Sequence, residues 1–125
     1  MDDRDVARHW DANAPEWVRC VRAGWDYYRE YVNNPAFFAL LPNLSGRGGL
    51  DVGCGEGGKT RLLADRGAQM VGVDISERMI AAAREHEAAE PRGIAYHVAS
   101  GNDLSVFADA SFDAVVSTMA MMDMA

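Results

Sequence analysis

The stretch LDVGCGEGGKT, Leu50 to Thr60, sets acidic, glycine and basic residues at spacings that serve three different ligand chemistries. Gly53, Gly58, Lys59 and Thr60 fit G-x-x-x-x-G-K-[ST], a loop whose amides cradle a polyphosphate while its lysine neutralises it. Gly53, Gly55 and Gly58 fit G-x-G-x-x-G, in which glycines let the backbone approach a pyrophosphate at a helix N-terminus. Asp51, Gly53, Gly55 and Gly57 fit D-x-G-x-G-x-G, which puts a carboxylate at the same turn and suits a ligand carrying positive charge. The loop alone does not choose among them.

Its surroundings weigh the choice. A nucleoside triphosphate brings about four negative charges and needs concentrated positive potential. Asp51 and Glu56 flank this turn, and like charges at short range in a partly desolvated site are costly. A magnesium-binding carboxylate at the end of another strand is also missing: Asp113 opens its strand, and Asp123 follows a methionine run. The same acidic residues oppose the pyrophosphate of a dinucleotide. The ribose-binding acid expected about 20 positions on is present as Asp74 in VGVDIS, but dinucleotide and S-adenosylmethionine sites share it. S-adenosylmethionine carries no phosphate; it offers a sulfonium, an ammonium and two ribose hydroxyls, for which carboxylates at Asp51 and Asp74 are useful.

The elements around these residues follow from periodicity. NAPEWVRCVRAGWDYYREYV predicts one helix with Trp17, Val21, Trp25, Tyr28 and Val32 on a stripe and Pro15 in the first turn. NNPAFFALLP predicts a short helix opened by Pro35 and closed by Pro42. From Gly49 the chain alternates: strand GLDV, helix GKTRLLADRG ended by Gly67, strand QMVGVD, helix SERMIAAAREHEAAE capped by Ser76, then strands IAYHVA and FDAVVSTM. Alternation of this kind implies a parallel sheet with ligands at the carboxyl ends of its strands.

Bulk properties narrow the partners. The 125 residues allow one domain at most, and 49% hydrophobic with 25% charged residues is an ordinary globular balance. A formal charge of −7 argues against a nucleic-acid partner. No run approaches the roughly 20 apolar residues of a membrane span, and the acidic start MDDRDVARHW is no secretory signal. Cys20 and Cys54 form no C-x-x-C pair and read as free thiols in a reducing cytoplasm. No metal-ligand spacing is present, so no metal is expected.

With these motifs in order, the chain resembles class I S-adenosylmethionine-dependent methyltransferases, especially the small-molecule type. LDVGCGEG is similar to their first motif and VGVDIS to their second. ISERMIAAARE resembles the helix that follows, FADASFDAVVS the entry to their fourth strand, and HWDANAPEW an N-terminal helix that covers the cofactor. The resemblance implies an α/β, Rossmann-like parallel sheet of order 3-2-1-4. It implies a helical lid over residues 1–45 and a shortened cofactor-binding core over 46–125. It implies S-adenosylmethionine as cofactor, S-adenosylhomocysteine as product and a small-molecule acceptor. Asp51, Gly53, Gly55 and Gly57 would line the methionine part, Asp74 would hold the ribose, and Ile75 and Met79 would lie against the adenine. Ser117 and Thr118 would face the sulfonium and the acceptor, with Trp10 and Trp17 in the lid.

One departure stands out. Such enzymes commonly carry Gly-Asp-Ala after the third strand, its carboxylate reaching the adenine amino group, whereas this chain reads ASGND with Ser100 at that place. Ser100, Gly101, Asn102 or Asp103 is expected to substitute. The family also continues through three further strands. The expectation is therefore a shortened N-terminal portion whose fourth strand is an open edge that self-associates, with Met119, Met121, Met122 and Met124 as an adaptable tail. His97 reads as a structural mid-strand residue, His86 as part of a solvated helix face, and His9 as a residue beside the lid. No nucleophile is identified, and methyl transfer needs none from the protein.

Overall fold

The computed structural model describes residues 1–124. Four parallel strands, β1 (Gly48–Val52), β2 (Gln69–Asp74), β3 (Ala95–Val98) and β4 (Ala114–Val116), form one sheet in the order β3-β2-β1-β4. Leu50 stands between Val71 on one side and Val115 on the other, and Val73 pairs with His97. Helix α3 (Gly58–Asp65) connects β1 to β2, and α4 (Glu77–Ala89) connects β2 to β3. The order reverses at β1, which opens a crevice beyond the carboxyl ends of β1 and its neighbours.

Alternation along the strands gives the sheet two apolar faces. Met70 and Tyr96 join Leu63, Ile80 and Ala83 in a core against the helices, covered further by Phe37, Phe38, Leu41 and Leu44. On the other face Leu50, Val52 and Val73 pack with Leu104, Phe107 and Phe112 from the segment between β3 and β4. Residues of the expected lid (1–45) and of the expected core (46–125) thus share one packed interior.

The N-terminal helices differ from the periodicity reading. Helix α1 spans Asp3–Arg22, so Pro15 lies in its interior rather than in its first turn. The start is set upstream by a reciprocal cap, in which Asp2 accepts from the Asp5 amide at 2.9 Å and the Asp2 amide donates to Asp5. The helix stops before Gly24, so Trp25, Tyr28 and Val32 do not continue its stripe. They precede or belong to a π-helical turn, Arg29–Asn33, that runs directly into α2 (Asn34–Leu40). Asn33 precedes α2 without a side-chain cap bond, because that turn already supplies the helix entry. Residues buried on α1 are Val6 and Ala14, while Trp17 and Trp25 remain exposed. Strand β4 is only three residues long; the chain turns at Met119 and folds into a 3-10 turn, Met121–Asp123. No helix among the described residues is long and apolar enough to cross a membrane.

Candidate functional site

The carboxyl ends of β1 and β2 deliver two aspartates to one place. Asp51 is the penultimate residue of β1 and is 1% exposed. Its Oδ2 accepts from the Thr60 hydroxyl at 2.8 Å, while Oδ1 is buried with no hydrogen-bond partner among the described residues. Burial pushes this carboxyl up to about 6, against the opposing pull of the Thr60 hydrogen bond and the nearby Lys59. Asp74 ends β2. Its Oδ2 accepts from the Gly55 amide and its Oδ1 from the Ser76 amide, each at 2.9 Å, so the glycine turn and the second strand are locked together. Burial raises the Asp74 carboxyl, and these amides oppose the rise.

Helix α4 begins where Asp74 ends. Ser76 caps it by accepting from the Met79 amide at 3.1 Å. Asp11 of α1 accepts from the Ser76 hydroxyl at 2.6 Å and from the Arg78 amide at 3.1 Å. The N-terminal helix is therefore bolted to the second motif through a buried serine.

Between these elements lies a cavity of about 420 Å³, within the range of roughly 300–1,000 Å³ usual for small-molecule sites. Of the residues singled out in the sequence, Asp51, Gly53, Gly55, Asp74, Ile75 and Met79 line it. So do Ser100, Gly101, Asn102, Trp10, Trp17 and Thr118. Trp10 and Trp17 meet edge to face at 5.8 Å on the α1 side. Gly57 and Ser117 are not in the wall. Gly57 starts α3 against the Tyr96 hydroxyl, and the Ser117 hydroxyl is buried beside the wall without a partner among the described residues.

Several wall residues escaped the sequence reading: Asp3, Asp26, Arg29 and Ala120, together with Lys59, which the sequence offers only as the lysine of a phosphate loop. Lys59 sits in the first turn of α3, with its ammonium 5.0 Å from the Phe37 ring centroid. Burial, then the Arg29 charge, pushes that ammonium below its ordinary value. The two acidic residues of the turn also part company. Glu56 is held away from the cavity by Arg29 at 3.0 Å and by the Gly58 amide at 3.0 Å. Of the pair, Asp51 faces the cavity. Arg29 lies 27 residues from its partner, a distance no local pattern signals, whereas the D-x-x-D cap at Asp2–Asp5 was a readable sign that Asp3 belongs to the lid helix.

Among the described residues no group of three or more His, Cys, Asp or Glu is arranged to hold a metal ion. His97 stands mid-strand with its ring against Phe107 at 5.6 Å. His9 is outside the cavity wall.

Comparison with known proteins gives these observations a setting. A family model described as "Methyltransferase domain" matches residues 50–125. The ubiquinone biosynthesis O-methyltransferase of Idiomarina loihiensis is 33% identical, covering 98% of this chain and 50% of that protein. An S-adenosylmethionine-dependent methyltransferase from Mesorhizobium loti superposes with a TM-score of 0.61 at 40% identity, over 69% of this chain and 39% of its own. A chain from the complex of the Haloferax volcanii Trm112 methyltransferase activator with a methyltransferase gives 0.70 at 28% identity, over 86% of this chain and 46% of its own. The chain thus spans half or less of each of these proteins.

Proposed function

The chain belongs to the class I S-adenosylmethionine-dependent methyltransferase domain family, and from that premise we propose that it is the cofactor-binding portion of an enzyme that methylates a small molecule. The observation that carries this reading is the Asp51 carboxylate, whose Oδ1 is buried at the cavity wall without a partner among the described residues. A buried orphan acceptor is costly unless a ligand donor reaches it, and the ammonium of S-adenosylmethionine is such a donor. Arg29 and Lys59, on the same wall, complement the adjoining carboxylate. Asp74, fixed by two amides, keeps lone pairs for the ribose hydroxyls. Ile75 and Met79 offer apolar surface for the adenine, and Gly53 and Gly55 let the backbone run close beneath the ligand.

When bound, the cofactor supplies an activated methyl group on a sulfonium. The protein's part is to hold and orient it, to exclude water with Trp10, Trp17 and the Met119–Met124 segment, and to leave an approach for the acceptor near Thr118. The named activity of the Idiomarina relative, in ubiquinone biosynthesis, supports an uncharged or lipid-like acceptor bearing an oxygen nucleophile. The net charge of −7 supports the absence of a nucleic-acid partner. The two free cysteines support a reducing, cytoplasmic setting.

The open edge of β4 supports self-association as part of the same reading. Val115 is 62% exposed, and Met119, Met121 and Met122 lie outside the core. An apolar parallel edge of this kind pairs with another chain.

Calorimetric titration with S-adenosylhomocysteine tests the assignment. Saturable one-site binding that is weakened at least tenfold by Asp74→Ala is expected. Thermal stabilisation by ATP–magnesium or NAD, with none by S-adenosylhomocysteine, would refute it.

A further inference from the structure

The loop after β3 lacks the acidic residue that the resemblance leads one to expect, and the hydrogen bonds around it show where a carboxylate comes from instead. Ser100 is engaged on both sides. Its hydroxyl donates to Asp3 Oδ2 at 2.6 Å, and its oxygen accepts from the Asn102 amide at 3.0 Å. A serine has one proton and two lone pairs, so what is left is one neutral lone pair, a weaker acceptor for an amino group than the carboxylate beside it. The side-chain amide of Asn102 donates to Asp3 Oδ1 at 3.0 Å. Asp103, the carboxylate nearest in sequence, turns back to accept from the Ser105 amide at 3.1 Å and is not in the cavity wall.

Asp3 is in that wall, together with Ser100, Asn102, Ile75 and Met79. A carboxylate offers about four lone-pair sites. The bonds to Ser100 and Asn102 use one on each oxygen and fix the plane of the group, which leaves acceptor capacity beside the loop. The residue is almost a hundred positions away in sequence, carried in by α1, whose docking is set by Asp11 on Ser76 and Arg78.

We propose that Asp3 of the lid helix supplies the carboxylate that accepts from the exocyclic amino group of adenine, so that the lid reads the nucleobase as it covers it. The inference rests on the S-adenosylmethionine reading above. An amino-bearing base donates to Asp3; a base with a carbonyl at the same position sets an acceptor against a carboxylate and is rejected. Ser100 and Asn102 are positioning residues that hold Asp3.

The test compares S-adenosylhomocysteine with its deaminated analogue S-inosylhomocysteine by calorimetric titration of the chain, its D3N and S100A variants and a control, D103N, altered at the loop carboxylate that lies outside the wall. The ratio of two affinities measured on one variant cancels any loss of folded protein. Hydrogen bonds to charged groups imply a preference of about tenfold to a hundredfold for the amino form. D3N is expected to erase or invert it, S100A to reduce it, and D103N to leave it unchanged. Binding of S-adenosylhomocysteine with an unchanged ratio in D3N, or a ratio lost in D103N instead, overturns the proposal while the cofactor assignment stands. Binding of neither ligand by the unmodified chain overturns the cofactor assignment and the proposal with it.

Discussion

Arg29 and Glu56 form a 3.0 Å ion pair in which the carboxylate is 3% exposed. Glu56 lies in the glycine-rich turn and Arg29 in the π-helical turn before α2, so the pair ties the N-terminal helices to the turn that lines the cavity. Arg22 approaches the other carboxylate oxygen only at 3.9 Å. Removing one partner of a buried pair strands the other charge, which typically costs about 3–5 kcal/mol. Arg29→Ala is therefore expected to lower stability by about 3 kcal/mol in urea unfolding. Combining it with Glu56→Gln should recover most of that loss. Additive losses in the double variant would show that the two residues act independently.

Two glycines of the same turn predict opposite tolerances. Gly55 has φ +57°, and a Cβ there would meet nothing within 4 Å, so Gly55→Ala carries backbone strain alone, about 1–2 kcal/mol. Gly57 has φ +89°, and a Cβ there would collide with the Tyr96 hydroxyl in the core. Gly57→Ala is expected to cost several times more or to prevent folding. Circular dichroism melts of the two variants distinguish the cases, and equal Tm values would contradict this account.

The sheet was legible in the sequence because each strand is bracketed by residues with one local meaning. Gly67 ends α3, Ser76 caps α4, and QMVGVD coincides with β2 end to end. The carboxyl-end residues Asp51 and Asp74 were legible for the same reason, since strand–turn–helix spacing is local. What was not legible depends on distant contacts. The aromatic stripe through Trp25 and Tyr28 obeyed helical spacing, yet the helix stops before Gly24 and Trp25 instead lies under the Arg19 guanidinium at 4.8 Å. The Glu56 charge looked available to a ligand until Arg29 arrived from another element. Asp3 carried no signal for the β3 loop at all, because its partners Ser100 and Asn102 are defined only by tertiary folding.

The β4 edge carries a separate prediction. Val115 is exposed at the edge and belongs to neither apolar cluster, so replacing it with lysine leaves both intact while adding a charge to the edge. Sedimentation of the unmodified chain is expected to show concentration-dependent association, shifted toward monomer in Val115→Lys. A chain that sediments as a monomer at high concentration, with or without the lysine, would remove the edge as an assembly surface.

Asp51 sets function against stability. Its carboxyl titrates near 6 in the folded protein, above the ordinary 3.8 of an unfolded chain. Between those two values the native state keeps a proton that the unfolded state has lost, so stability falls as pH rises through this window and the loss is complete above about 6. A displacement of about two pH units corresponds to about 3 kcal/mol at neutral pH. Asp51→Asn keeps an acceptor for Thr60, which donates at 2.8 Å, and carries no charge to desolvate. The ligand-free variant is expected to be more stable than the parent at pH 7 by about 1–3 kcal/mol and nearly equal to it at about pH 3, below both values. The same substitution removes the acceptor charge for an ammonium, so S-adenosylhomocysteine affinity should drop at least tenfold at pH 7. In the parent, affinity should rise with pH through about 6 as Asp51 ionises. Urea unfolding at the two pH values, paired with titration calorimetry, measures both sides. A variant less stable at pH 7 than the parent, or one that binds undiminished, would show that Asp51 serves the fold rather than the ligand.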